Sequence, residues 1–197
     1  MNTIATQTLP RPCANTTHGD NSLSPTDVLS YSAAQAPNRD SLVKSIMLQP
    51  IPFAVARNLV VGHHYLHSMP GGTWFTFGVF LESSLLGVMT LGAGPFLVHQ
   101  LVDGGQPDDC VVLTRLWLSD ELPRNSESRV LGIVLRALRR ETQLKFVVAY
   151  SDPAAGHQGT IYQATNWIYT GLSTAMPSYD LGDGVPPAFP NDRPSIW

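Results

Sequence analysis

Asp152, His157 and Tyr162 lie within a dozen residues of one another in "YSDPAAGHQGTIYQATNWIYTG", directly after the apolar run "FVVAY". An apolar run of that length reads as a buried strand. Asp152 then stands at a strand end, where open α/β sheets place their ligand crevice. A carboxylate there can accept a proton, position an amine or bind a metal. Tyr162, ten residues on in the next helix, could donate a proton or stack on a base. The competing reading makes Asp152 a helix cap and Tyr162 half-buried core.

Arg115 sits inside another apolar strand, "VVLTRLWL". A buried arginine is costly unless paired. Its planar fork suits a carboxylate or a phosphate. The alternation of its neighbours aims Arg115 at the crevice, with Leu116 and Leu118 dividing between the two faces. The structural alternative pairs it with Asp152 or with a carboxylate at a helix end.

"HHYLH" supplies His63, His64 and His67. His63 and His67 are one helical turn apart and could share a metal. Histidines at a helix C-terminus are also favoured by the dipole alone. Arg129, Arg136 and Arg140 form a narrow stripe on a helix whose Leu131, Val134 and Leu138 fall on another face. Such a stripe is either a solvated face or a local contact for DNA phosphates. Trp74, Phe75 and Phe77 read mainly as core, although one of them could stack on a base.

The elements that must position these groups follow from periodicity and punctuation. "SIMLQPI" reads as a strand, and "PFAVARNLVVGHHYLH" as a helix with Pro52 near its start and "PGG" beyond its end. "TWFTFGVFLESSLLGVMTLGAGP" reads as a hairpin turning at "ESS". "VVLTRLWLSDEL" is a strand. "NSESRVLGIVLRALRRET" is a helix with Asn125 or Ser126 as its cap. Then come the strand "KFVVAYS", a short helix "GTIYQATNW" and a last strand "IYTGLS". The order predicts a mixed sheet with helices on both faces. Residues 1–42 are polar and Pro-containing and read as a disordered tail. Residues 43–175 form the domain, and 176–197 are a Pro-rich tail.

Composition narrows the function. The chain has 197 residues, 43% of them apolar, enough for one real core. Its net charge is −3, so no global basic field draws nucleic acid and any DNA contact must be local. Cys13 and Cys110 are the only cysteines, which fits a reducing, cytoplasmic setting. The N-terminus lacks the apolar segment of a signal peptide, and no run approaches the roughly 20 apolar residues of a membrane span.

The element order resembles the GNAT (N-acetyltransferase) superfamily. "GHHYLH", "LTRLWL", "PRNSES" and "YSDPAAGHQGTIYQATNWIYTG" together resemble the Mom-type DNA-modification proteins of phages and prophages, over about residues 45–174. That resemblance implies a GNAT-like α/β fold. It implies an enzyme acting on double-stranded DNA in the bacterial cytoplasm, converting adenine to an N6-carbamoylmethyl form that blocks restriction. It places Arg115, Ser128, Asp152 and Tyr162 among the functional residues. It also implies an Fe2+ site drawing on His63 or His64 with Asp152, with Tyr65 as a further candidate.

One departure bears on the donor. Acetyltransferases bring bare glycine amides to a pyrophosphate at the helix start. Here no glycine lies between Gly105 and Gly132, and Glu127 would repel phosphates. This argues against acetyl-CoA and leaves the donor unknown. Ser126 and Glu127 read best as helix capping. The alternatives are an acyl-CoA-dependent N-acetyltransferase acting on a small amine or protein, and a non-catalytic DNA-binding module, which the low net charge disfavours.

Overall fold

The computed structural model describes residues 3–8 and 39–173. Seven strands form one mixed sheet in the order β2-β3-β4-β5-β6-β1-β7. They are β1 (Thr3–Thr8), β2 (Ile46–Pro50), β3 (Thr73–Leu81), β4 (Ser84–Gly92), β5 (Cys110–Leu118), β6 (Phe146–Ser151) and β7 (Ile168–Leu172). The helices are α1 (Arg39–Lys44), α2 (Phe53–His63), α3 (Ser126–Glu141) and α4 (Thr160–Gln163). Every strand pairing is antiparallel except β5 with β6, which α3 joins as a βαβ crossover.

The sheet is covered on both sides, as the alternation predicts. Val111, Leu113, Val147 and Ala149 face α3, whose Val130, Leu131, Val134 and Leu138 are buried against them. Their strand neighbours Cys110, Val112, Phe146 and Val148 point to the other face. Further along that second face, Ala56 and Val60 of α2 bury Val88. No described helix is long and apolar enough to cross a membrane.

Four local expectations need correction. Residues 3–8 are not part of a disordered tail. They form β1, inserted antiparallel between β6 and β7. Ile4, Ala5 and Thr6 are buried there, so a short polar-looking segment is held by ladder bonds and its few apolar side chains. Residues 9–38 and the Pro-rich tail 176–197 lie outside the described residues.

Helix α2 stops at His63, so His63 and His67 are not successive turns of a helix. The His64 ring takes the Leu66 N–H through Nδ1 at 3.2 Å, and the His67 N–H bonds the His64 carbonyl at 2.8 Å. This local side-chain bond replaces the next helical turn. Asn125 stands at the cap position of α3 in a left-handed conformation (φ 70°) with no side-chain cap bond, and Ser126 Oγ donates instead to the Pro123 carbonyl. Capping through a side chain requires extended backbone at that position. Finally, Leu116 and Leu118 do not divide between faces. Both pack on the α3 side, because residues two apart on a strand share a face.

Candidate active site

A bulge in β5 is the feature that builds the site. Opposite β4, Arg115 pairs with Thr90 and Leu113 with Leu91, so Thr114 is the extra residue. Thr114 Oγ and Thr90 Oγ are 2.8 Å apart, and Thr114 Oγ also donates to the Thr90 carbonyl at 3.1 Å. An extra residue reverses the alternation beyond it. Leu113 faces α3, whereas Trp117 packs with Val88 on the opposite face, below α2. Arg115, two residues before Trp117, shares that second face.

The same point marks the parting of two strands. The parallel pairing of β5 with β6 ends at Leu113 opposite Ala149. Beyond it β5 follows β4, and β6 follows β1 as far as Ser151 opposite Thr3. A cavity of about 1080 Å³ opens there. Its walls come from the far half of β5, the end of β6 with the turn after it, the residues just past α2, and the Gly94–Val98 loop. Ile4 of β1 and Glu127 of α3 complete it.

Arg115 is half-buried in this cavity and is held by neutral acceptors. Nε donates to the Ser68 carbonyl at 3.0 Å, Nη1 to the Thr114 carbonyl at 2.7 Å and Nη2 to Ser68 Oγ at 3.3 Å. Burial lowers its pKa, with Tyr65 opposing. The ion pairs among the described residues are Arg140–Glu141 and Lys145–Asp109, so the alternative pairing of Arg115 with Asp152 is not made.

Asp152 lies at the end of β6, lining the cavity. Its Oδ1 accepts the Ala154 N–H at 3.0 Å, and its carbonyl accepts the His157 N–H at 3.0 Å, closing the turn. It therefore caps a single 3-10 turn, Pro153–Ala155, while also facing the cavity. Tyr162 is nine-tenths buried, its ring 4.9 Å from that of Trp167, and it also reaches the cavity wall. Burial, reinforced by the nearby Tyr65, pushes its phenol far up, so it is a neutral donor.

Three rings from two segments lie side by side along one wall, the first pair stacked and the second tilted. His64 and Tyr65 have centroids 4.5 Å apart, and Tyr65 and His157 4.8 Å. Burial, then the charges of Arg115, His157 and His67, lowers the His64 pKa to about 4. Burial, then the Asp152 charge, raises Tyr65, against an opposing Arg115. His63 stacks on Trp117 at 4.3 Å. Trp117 and this use of His157 were not anticipated. The signal for Trp117 was available, since it is two residues from Arg115 on one strand.

The remaining anticipated residues lie elsewhere. Ser128 is in the first turn of α3, half-buried, and does not line the cavity; its neighbour Glu127 does. The three arginines of the stripe make different contacts. Arg129 donates to the Lys44 carbonyl at 3.3 Å with a buried Nε, Arg136 folds over Gly132, and Arg140 pairs with Glu141 at 2.6 Å. Trp74 is half-exposed, Phe75 and Phe77 stack at 6.3 Å against the core, and none of the three lines the cavity. His67 Nδ1 is 2.9 Å from the Val61 carbonyl, a bond it makes as donor.

His63, His64 and Asp152, with Tyr65, the residues implied for Fe2+, all line the cavity. Among the described residues no group of three or more His, Cys, Asp or Glu side chains could hold a metal ion. His64 Nδ1 accepts a backbone N–H, so the neutral ring carries its proton on Nε2, a donor and not a ligand. In that tautomer His64 is not a ligand, which leaves His63, Asp152 and Tyr65 of the implied set on the cavity wall.

Comparison with known proteins points one way. The model of the Mom protein family matches residues 45–187, which contain every cavity residue named above except Ile4. The methylcarbamoylase mom of Escherichia phage Mu is 29% identical over 131 residues. That stretch is 65% of this chain and 54% of the phage protein, so the chain spans about half the length of the curated relative it matches.

Proposed function

The chain belongs to the Mom protein family, and from that membership together with the cavity we propose that it is an enzyme modifying adenine in DNA at the exocyclic N6 amine. The product we propose is the N6-carbamoylmethyl form, in keeping with the name of the phage Mu relative. Double-stranded DNA in a bacterial cytoplasm is the substrate, and protection of phage or prophage DNA from restriction is the outcome. The parting of parallel strands β5 and β6 around α3 supports a GNAT-like assignment of the fold.

One observation carries the reading. The bulge at Thr114 turns Arg115 into the same cavity as Asp152 and Tyr162. The adenine amine is a weak nucleophile, since its lone pair is delocalised into the ring. Orientation and proton removal are what an enzyme must add. Asp152 Oδ1 is engaged by the Ala154 N–H, so Oδ2 is assigned to the amine. As the new N–C bond forms and the donor's leaving group departs, that oxygen takes the N6 proton. Arg115, with no carboxylate against it among the described residues, stabilises negative charge on the donor. Tyr162, kept neutral, donates a hydrogen bond to the base. Ser128, in the first turn of α3 next to Glu127, is given no step here. No step is assigned to a metal.

The cavity also bears on the alternative of an acyl-CoA donor. At the start of α3 an asparagine takes the left-handed turn that glycine would take, and Glu127 lines the cavity. A carboxylate there disfavours a pyrophosphate. The test is nucleoside mass spectrometry of plasmid DNA from cells expressing the chain. We expect a deoxyadenosine heavier by a carbamoylmethyl group, absent with Asp152→Asn. Unmodified DNA beside soluble protein would overturn the reading.

A further inference from the structure

Phe96 is the most exposed large apolar side chain among the described residues, 92% open to water, and it stands at the mouth of the cavity. Aromatic rings are ordinarily buried for their area. The loop that holds this one out is braced. Gly94 has φ 67°, and a Cβ there would lie 2.3 Å from Val112 Cγ2, so only glycine fits. Leu97 is also left-handed, φ 63°, which leucine adopts only when its surroundings impose it. Pro95 fixes its own φ. The Val98 N–H bonds the Pro95 carbonyl at 3.4 Å, and buried Val98 anchors the turn in the core beside Val112. The ring is thus presented at the apex of a tight, pinned turn.

Two further observations indicate what it meets. The cavity of about 1080 Å³ exceeds what one base needs and leaves room for a donor. Its charged lining is Arg115 against Asp152 and Glu127, which suits a neutral base and not a run of phosphates. A base can reach Asp152 only by leaving the duplex stack, and the gap it leaves must be held open. Apolar side chains inserted between base steps do this in proteins that distort DNA. We propose that Phe96 is the wedge that enters the base stack of duplex DNA at the target step and holds it open while the base occupies the cavity. This rests on the reading of the chain as a DNA adenine-modifying enzyme.

The test uses the full chain and its Phe96→Ala and Phe96→Leu variants. Plasmid DNA from expressing cells is assayed for modified deoxyadenosine. Purified proteins are mixed with a duplex carrying 2-aminopurine at a position modified by the unaltered chain, whose emission rises when that base unstacks. Phe96→Ala should lower both signals roughly tenfold, and Phe96→Leu less. Its melting temperature and the slope of log affinity against log salt should not move, since a phenyl ring releases no counterions. A duplex with an abasic site opposite the 2-aminopurine should restore emission with Phe96→Ala. Full modification and emission with Phe96→Ala would overturn the wedge and leave the enzyme reading standing. No modification and no emission change with the unaltered chain would overturn the enzyme reading, and the wedge with it.

Discussion

Arg115 and Ser68 tie the bulged strand to the loop that follows α2: Nε donates to the Ser68 carbonyl at 3.0 Å and Nη2 to its hydroxyl at 3.3 Å. With the Thr114 carbonyl taking Nη1 at 2.7 Å, the guanidinium is oriented entirely by neutral groups. Among the described residues its charge is paired with no carboxylate and is available to a reacting group.

Arg115→Lys separates orientation from charge. A lysine keeps the charge but cannot reach three diverging acceptors. Modified deoxyadenosine in plasmid DNA should fall on the order of a hundredfold, while unfolding free energy falls by about 1 kcal/mol. Ser68→Ala removes only the hydroxyl acceptor, so its effect on modification should be several times smaller. Equal losses in the two variants would make Arg115 a strut between the segments and not a participant in the reaction.

Asp152→Asn tests the carboxylate without disturbing its turn. The asparagine Oδ1 can still accept the Ala154 N–H, so melting should be nearly unchanged. Loss of the proton acceptor should cost roughly 10²–10⁴ in modification rate. A second readout is independent of activity. The Asp152 charge helps to hold Tyr65 above the ordinary tyrosine range. Alkaline absorbance titration of Asp152→Asn should therefore show one tyrosine ionising earlier than in the unaltered chain, and the difference should vanish in a Tyr65→Phe background.

His64 makes stability depend on pH in a defined direction. It is folded in as the neutral ring, its pKa lowered to about 4 from 6.5. Between these values the unfolded chain binds the proton and the folded chain does not. Stability is therefore full above about pH 6.5 and is lost as pH falls toward 4. The loss should be on the order of 2 kcal/mol in urea titrations between pH 7 and pH 4.5. His64→Asn keeps an acceptor for the Leu66 N–H but does not titrate in this range. It should flatten that part of the profile, and an unchanged slope would assign the dependence to another group.

Much of this was legible in the sequence because burial writes periodicity. The strand-helix order from Ile46 to Leu172, the faces of α3, and the placement of Asp152 at a strand end all follow from apolar spacing and punctuation. Three features of this stretch were not legible. The bulge at Thr114 depends on which residue of β4 lies opposite, and Thr90 is 24 residues away. The end of α2 depends on whether the His64 ring turns onto the Leu66 N–H, a local competition that "HHYLH" does not decide. The arginine stripe has the right helical spacing, but spacing does not show that Arg129 reaches Lys44, 85 residues away, or that Arg140 meets Glu141.

The N-terminal strand yields the sharpest test of the fold, since nothing in "TIATQT" announces a buried strand. β1 lies between β6 and β7, with Ile4 opposite Tyr150 on one side and Gly171 on the other. Ile4 also lines the cavity, so β1 links the sheet to the site. Removing residues 1–8 strips β6 of its outer partner and leaves β7 with none. It also exposes an edge running Phe146–Ser151, whose Val147, Val148 and Ala149 are now buried. Loss of buried Ile4 and Ala5 with the ladder should cost about 3 kcal/mol. At roughly 2–4 °C per kcal/mol for a chain of this size, the melting midpoint should fall by about 6–12 °C. Thr6→Pro, which removes a single strand N–H in the full chain, should move in the same direction by less. Amide exchange along β6 should quicken in the truncated chain. A chain without residues 1–8 that melts with the full chain would mean that the sheet ends at β6.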